Sequence, residues 1–348
     1  MKPSLVNYLV CPNCRMNLAL RTIMEKKDEI WDGILSCKNQ HKFKIKRGVP
    51  RLIIDRSSGF IKTEKAFSSK WKRYYKNYQA KKWFDFTEKW FLERFGWKNV
   101  SLFNEFLKTR HFILDAGTGV GNSAKRFSAS STTLVFAVDA SDSIEFAYEK
   151  YGKISNVHFI QADLLQLPFK RRFFDFICAD QVIHHTKNTK LAFKRLVKHL
   201  SFNGIISIYV YNKKGPIREF VDDYIRKRTT KMSEKECLEF SKNITLLGKA
   251  LSKLKKKITI TKDIPMLNIN AGTHDIQRFF YWNFLKCFWA DDNDFHRSVG
   301  VNFDWYYPKY AWRHTPQEVQ RWHKEEKIRI THFQEIESGI NVTGRKIC

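Results

Sequence analysis

Two residue pairs near the start of the chain have the types and spacing of metal ligands: Cys11-x2-Cys14 and, after 22 residues, Cys37-x3-His41. Three thiolates and one imidazole suit a tetrahedral structural zinc ion. A Cys-x2-Cys pair can also be a redox couple, but that chemistry belongs at a helix start within a βαβ unit. Cys11 instead leads into "CPNCRMNLALR", which offers no such context. A second constellation surrounds "ILDAGTGVGN", Ile113–Asn122, with Asp115, Gly117, Gly119 and Gly121. Glycines let backbone N–H groups come close to a ligand. An acid two residues before the first glycine repels phosphate but suits an ammonium group. Further on, Asp139 in "VFAVDAS" is placed to take two neighbouring hydroxyls. Asp163 in "IQADLLQLPF" can accept from an amino group, with Leu164 beside its ring. "FDFICADQVIHHT" then brings Asp180, His184 and His185 to the same edge, and histidine is a common proton acceptor near neutral pH.

These residues need strand ends to hold them. "HFILDAG", "TLVFAVDA", "VHFIQAD", "FFDFICAD" and "GIISIYVY" are unbroken apolar runs, as expected of parallel strands covered on both faces by helices. The chain divides into four segments. Residues 1–55 carry short strands ("ILSC", "FKI", "RLII"), and residues 56–110 read as helices. Residues 111–212 form the strand-rich core, and residues 213–348 are mostly helical and aromatic-rich, closing on two strand-like runs. Phe67, Trp71, Tyr74 and Tyr78 share one helical face, either as core or as a cover over a pocket in the domain that follows.

The set Asp115-x-Gly117-x-Gly119-x-Gly121, Asp139, Ala162-Asp163 with Pro168-Phe169, and Val182-Ile183-His184-His185 resembles the class I S-adenosylmethionine-dependent methyltransferases, in the ubiquinone/menaquinone-methylase-like branch. The resemblance covers roughly residues 111–212. It implies an α/β, Rossmann-like, doubly wound seven-stranded sheet with the cofactor at the carboxyl ends of its strands. It also implies that S-adenosyl-L-methionine is held by Asp115, Gly117, Gly119, Gly121, Asp139, Asp163, Leu164 and Asp180. His185, His184 and His314 become the candidates for catalysis. Residues 1–55 are similar to the small zinc-ribbon methyltransferase-activator domains, whose pattern ends here as Gly48-Val49-Pro50-Arg51-Leu52-Ile53. That family often has a cysteine where His41 stands.

The acceptor is constrained mostly by exclusion. "ADQV" replaces the Asn/Asp-Pro-Pro-Tyr of amino-group methylases, and no Pro-Cys nucleophile is present; Cys178 reads as strand core. Arg218 and Asp222, near one helical face with Asp223 alongside, read as surface ion pairs. Seven aromatics between Phe279 and Trp289 cap the site, form an oligomer interface or meet an apolar substrate. Asp304, Tyr306 and His314 fall in a segment similar to one found in these methylases, and Thr315 with Glu318 reads as a capping box with Pro316 in the first turn. The expected acceptor is a small molecule, carrier-linked, glycan or lipid-type intermediate methylated at oxygen. The alternative is RNA, held by the zinc ribbon and a basic surface. The net charge of +28 invites that alternative, yet the excess is spread over every segment rather than gathered into a clamp. An odd count of seven cysteines, no signal-like leader and no membrane-length apolar run point to a reducing, cytoplasmic setting.

Overall fold

The computed structural model describes residues 1–55, 57–74, 81–291 and 295–347. The N-terminal segment supplies β1 (Ala19–Lys26), β2 (Glu29–Ser36), β3 (Lys42–Lys46) and β4 (Val49–Leu52), followed by helices α1 (Ser58–Tyr74), α2 (Lys81–Arg94) and α3 (Val100–Lys108). Strands and helices then alternate: β5 (Phe112–Ala116), α4 (Asn122–Phe127), β6 (Leu134–Asp139), α5 (Ser143–Tyr151), β7 (Val157–Ala162), β8 (Phe174–Ala179), α6 (Thr189–His199) and β9 (Leu200–Asn212). The remainder comprises α7 (Pro216–Thr229), α8 (Glu234–Lys253), β10 (Lys257–Ile260), β11 (Gly272–Asp275), α9 (Ile276–Asn283), α10 (Phe295–Tyr306), β12 (Arg313–His314), α11 (Pro316–Glu325), β13 (Ile328–Glu335) and β14 (Gly339–Lys346).

The sheet is larger than the seven strands expected from sequence. Among the described residues, twelve strands form one sheet in the order β1-β2-β3-β4-β7-β6-β5-β8-β9-β14-β13, with β12 added on β9. From β4 to β9 the strands run parallel, and β14 is antiparallel to both of its neighbours. The N-terminal segment is continuous with this sheet, because β4 pairs with β7 through Arg51–Gln161 and Leu52–Ala162. Side chains alternate across each strand, so a core forms on each face of the sheet. Leu114, Phe136 and Ile160 pack with Leu5, Leu9, Leu35 and Ile45 of the N-terminal segment, and with Phe193 and Trp322. Ile113, Val135 and Val157 pack with Phe91, Phe103, Leu107 and Phe127. The boundary drawn at residue 55 therefore crosses a shared sheet and a shared core.

Capping follows the expected chemistry at α11, where Thr315 and Glu318 form a reciprocal capping box behind Pro316. Cys178 is fully buried within β8, as expected of a core residue. Arg218 and Asp222 contradict the surface reading: they are 1% and 0% exposed and form a 2.8 Å ion pair. Arg218 also donates to the carbonyl of Tyr281, which explains the burial, since a charge leaves water only when its partners replace the lost solvation. No helix among the described residues is long and apolar enough to cross a membrane.

Candidate active site

The carboxyl ends of β5, β6, β7 and β8 open into one cavity of about 560 Å³, which α1, α2 and the aromatic C-terminal segment close over. The glycine loop forms one wall. Gly117 and Thr118 donate N–H bonds to the Val138 carbonyl (2.7 and 2.9 Å), tying the loop to β6. Gly117 has φ +80°, and a Cβ there would lie 2.4 Å from Val182; Gly119 has φ +55°, and a Cβ would lie 3.0 Å from the Trp71 ring. Both positions therefore exclude larger residues on backbone and steric grounds. The close approach of Trp71 answers the question left by the aromatic stripe. Phe67 and Trp71 face the cavity; Tyr78 and the side chain of Tyr74 lie outside the described residues.

Asp115, Asp139 and Asp163 line this end of the cavity, with Asp55, Glu64 and Asp180 also in its lining. Asp115, 3% exposed, accepts from Thr118 Oγ1 at 2.5 Å. Desolvation, followed by the neighbouring Asp180 charge, pushes its pKa up to about 7 despite the Thr118 bond. Asp139 accepts from Gly119 N through Oδ2 (2.8 Å) and from Ser141 N and Oγ through Oδ1 (2.8 and 2.6 Å). Burial raises its pKa, and those same bonds oppose the rise. Asp163 accepts from Leu165 N at 2.9 Å, and burial pushes it up to about 6. Leu164 lies beside it in the lining. The donor set fits S-adenosylmethionine: Asp115 suits an ammonium group, Asp139 a vicinal diol, Asp163 an amino-bearing ring, and the glycine loop leaves the room that a Cβ would fill.

Asp180 lines the cavity but is already engaged. Arg94 of α2 grips both of its oxygens, each at 2.7 Å, and the guanidinium stacks 3.6 Å from the Trp90 ring centroid. Its geometry is that of a buried fork–fork pair, which fixes α2 against β8. Asp180 thus reaches a ligand only through whatever acceptor capacity that pair leaves.

The three histidines separate sharply. His185 lines the cavity, with Nδ1 2.8 Å from the Tyr310 carbonyl and Phe67 edge-on at 4.7 Å. A carbonyl only accepts, so Nδ1 carries the proton and Nε2 is the acceptor in the neutral ring. Burial pushes its pKa down to about 3, which suits a hydrogen-bond acceptor better than a general base. His184 does not line the cavity. It is fully buried, its ring centroid 3.8 Å from that of Tyr211 with the two rings tilted by 35°, and neither ring nitrogen has a hydrogen-bond partner. His314 is also outside the lining, edge-on to Trp322 at 4.7 Å and 3.7 Å from Glu318. Burial pushes it down to about 4. Both are displaced from the cavity because packing, rather than ligand contact, consumes their rings.

The other end of the cavity is aromatic. Tyr211, Tyr281, Trp282, Phe288 and Tyr310 line it, with Lys286 and with Asp304 held by Lys70 at 2.5 Å. The 279–289 segment therefore supplies cavity wall. Tyr306 does not line it, since its hydroxyl donates to the Lys286 carbonyl at 2.8 Å from full burial. Arg94, Lys70, Tyr211 and Lys286 were not singled out from sequence. Nothing in their spacing marks them, although a lone lysine inside "FLKCFW" is a signal that could have been weighed.

Cys11, Cys14, Cys37 and His41 converge, with all four donor atoms within 4.8 Å of one another. Cys37 Sγ and His41 Nδ1 are 3.3 Å apart, Cys11 Sγ and His41 Nδ1 3.6 Å, and Cys14 Sγ and Cys37 Sγ 3.6 Å. Zinc bonds of about 2.0–2.3 Å give tetrahedral edges of roughly 3.5–3.8 Å, so the donors fit such an ion. The knuckle also grips the cofactor side of the molecule. Val10 N donates to the Pro168 carbonyl at 2.9 Å. Arg15 donates to the Leu167 carbonyl at 2.7 Å and to that of Phe169.

Residues 114–208 match the model of a methyltransferase domain. The chain carries a methyltransferase domain. Phosphoethanolamine N-methyltransferase 2 of Caenorhabditis elegans is 29% identical over 119 residues, 33% of this chain and 27% of that protein. A ubiquinone/menaquinone biosynthesis C-methyltransferase of Coxiella burnetii is 27% identical over 136 residues, 37% of this chain and 54% of that protein. The chain thus spans between about a quarter and a half of the length of these relatives. Among solved structures, a SAM dependent methyltransferase from Aquifex aeolicus aligns over 73% of this chain and 92% of its own, at 13% identity and a TM-score of 0.38.

Proposed function

We propose that the chain is an S-adenosylmethionine-dependent methyltransferase whose acceptor is a small molecule or a carrier-linked biosynthetic intermediate, methylated at a hydroxyl. The observation that carries this reading is one cavity with two chemically distinct ends. Asp115, Asp139, Asp163 and the glycine loop form one end, and the aromatic wall around Tyr211, Tyr281 and Trp282 forms the other. Bound at the first end, S-adenosylmethionine supplies an electrophilic methyl group. The chain's own residues do the rest. Phe67 and Trp71 of α1, with the 279–289 segment, exclude water from the reacting centre. His185, an acceptor at Nε2, orients a hydroxyl rather than taking its proton at neutral pH. Asp304, sheltered beside Lys70, is the carboxylate at the aromatic end and takes the hydroxyl proton as the oxygen accepts the methyl group and the methyl–sulfur bond breaks; burial raises its pKa, while the Lys70 cation opposes the rise. The Cys11–His41 cluster holds structural zinc, remote from the transfer itself.

Exposed Arg171 and Arg195 beside Arg15 favour RNA as the second reading. Incubation with methyl-labelled S-adenosylmethionine and an extract of the source cells, fractionated afterwards, separates the two. Label in the small-metabolite or lipid fraction is expected. Nuclease-sensitive label that falls steeply with added salt would transfer the assignment to RNA.

A further inference from the structure

Lys286 occupies an unusual position for a lysine. It is 9% exposed and lies in the cavity wall among Tyr211, Tyr281, Trp282 and Phe288. Its Nζ donates to the Tyr281 hydroxyl at 3.1 Å and sits 4.8 Å from the Trp305 ring centroid. An ammonium has three donors, and among the described residues no carboxylate pairs with this one. The two carboxylates that feel its field each have a cation already: Asp222 pairs with Arg218 at 2.8 Å and Asp304 with Lys70 at 2.5 Å. Lys286 is thus left without a carboxylate of its own, in a neighbourhood where Lys214 and Glu219 also lie close. Burial, and then the positive field of Arg218 and Lys286, pushes nearby Lys214 down to about 7. The backbone of Lys286 is fixed by Tyr306, and the following turn is fixed by Phe288 N donating to Asn302 Oδ1 at 2.8 Å.

A buried ammonium with spare donors is costly unless an anion completes it, and flat aromatic walls accept a planar ring. We propose that Lys286 is a specificity-determining residue: the acceptor carries an anionic group, a carboxylate or a phosphate, on a planar apolar body, and Lys286 neutralises it. This rests on the methyltransferase reading and narrows its substrate class.

The test uses full-length protein saturated with S-adenosylhomocysteine and two similarly shaped probes, 2-naphthoate and uncharged 2-naphthalenemethanol, titrated calorimetrically. Phenyl phosphate in a third titration distinguishes the two anions. The expected result is that naphthoate or phenyl phosphate binds roughly tenfold or more tightly than the alcohol. Lys286→Met should remove that preference while keeping affinity for S-adenosylhomocysteine, and Lys286→Arg should retain it. Equal binding of charged and uncharged probes, a preference surviving Lys286→Met, or no binding of any probe to the loaded protein overturns the proposal. Failure to bind S-adenosylhomocysteine at all overturns instead the reading on which it rests.

Discussion

At the scale of single residues, the cavity is organised by carboxylates held away from water. Asp115 shows the consequence most clearly. Its pKa is raised from 3.8 to about 7. The folded state therefore retains a proton that the unfolded chain releases between those values. The stabilisation is fully present below about pH 4 and is lost as pH rises through about 7. A ligand bringing an ammonium group reverses the preference by favouring the carboxylate. Binding of S-adenosylmethionine at pH 6 is thus expected to release roughly one proton, read as a dependence of binding enthalpy on buffer ionisation. Asp115→Asn should remove most of that release, and a buffer-independent enthalpy would refute the assignment. Asp115, Asp139 and Asp163 were legible in the sequence because each follows an apolar run at a strand end. The engagement of Asp180 by Arg94 was not, because 86 residues separate the two partners and only the packing of α2 brings them together.

At the scale of elements, the N-terminal strands support the cofactor side of the molecule. The Cys11–His41 knuckle positions Arg15, which with Val10 fixes the backbone of residues 167–169. That stretch directly follows Asp163 and Leu164 in the cavity wall. Metal removal should therefore act on two readouts. Chelation, or Cys11→Ser with Cys14→Ser, is expected to lower the melting temperature by about 1–2 °C for each kcal/mol lost. It should also weaken S-adenosylhomocysteine binding several-fold through the loosened 163–169 stretch. A purified chain that holds no zinc, or one that loses zinc without change in either readout, contradicts this coupling. The ligand spacing was visible in the sequence. The joining of β4 to β7 was not, since parallel pairing of two short strands more than a hundred residues apart leaves no local pattern. For the same reason Arg218 and Asp222 read as a surface pair, their cover being the distant Tyr281 segment.

At the scale of the molecule, twelve strands in one sheet carry the N-terminal segment, the methyltransferase domain and the last two strands on a common frame. The strand-rich region between residues 111 and 212 was readable because its apolar runs repeat with strand–helix spacing. The aromatic end of the cavity was readable only as composition, because α1 and the 279–289 segment meet there from opposite parts of the chain. The central claim is that this frame holds S-adenosylmethionine by Asp139 and its neighbours. Titration of the full chain with S-adenosylhomocysteine, beside Asp139→Ala, tests it most directly. One-to-one binding is expected, weakened roughly 10- to 100-fold in the variant, because ligand hydroxyls and the Gly119 N–H both lose their acceptor. Absence of binding to the unmodified chain, or equal affinity in the variant, would contradict the account.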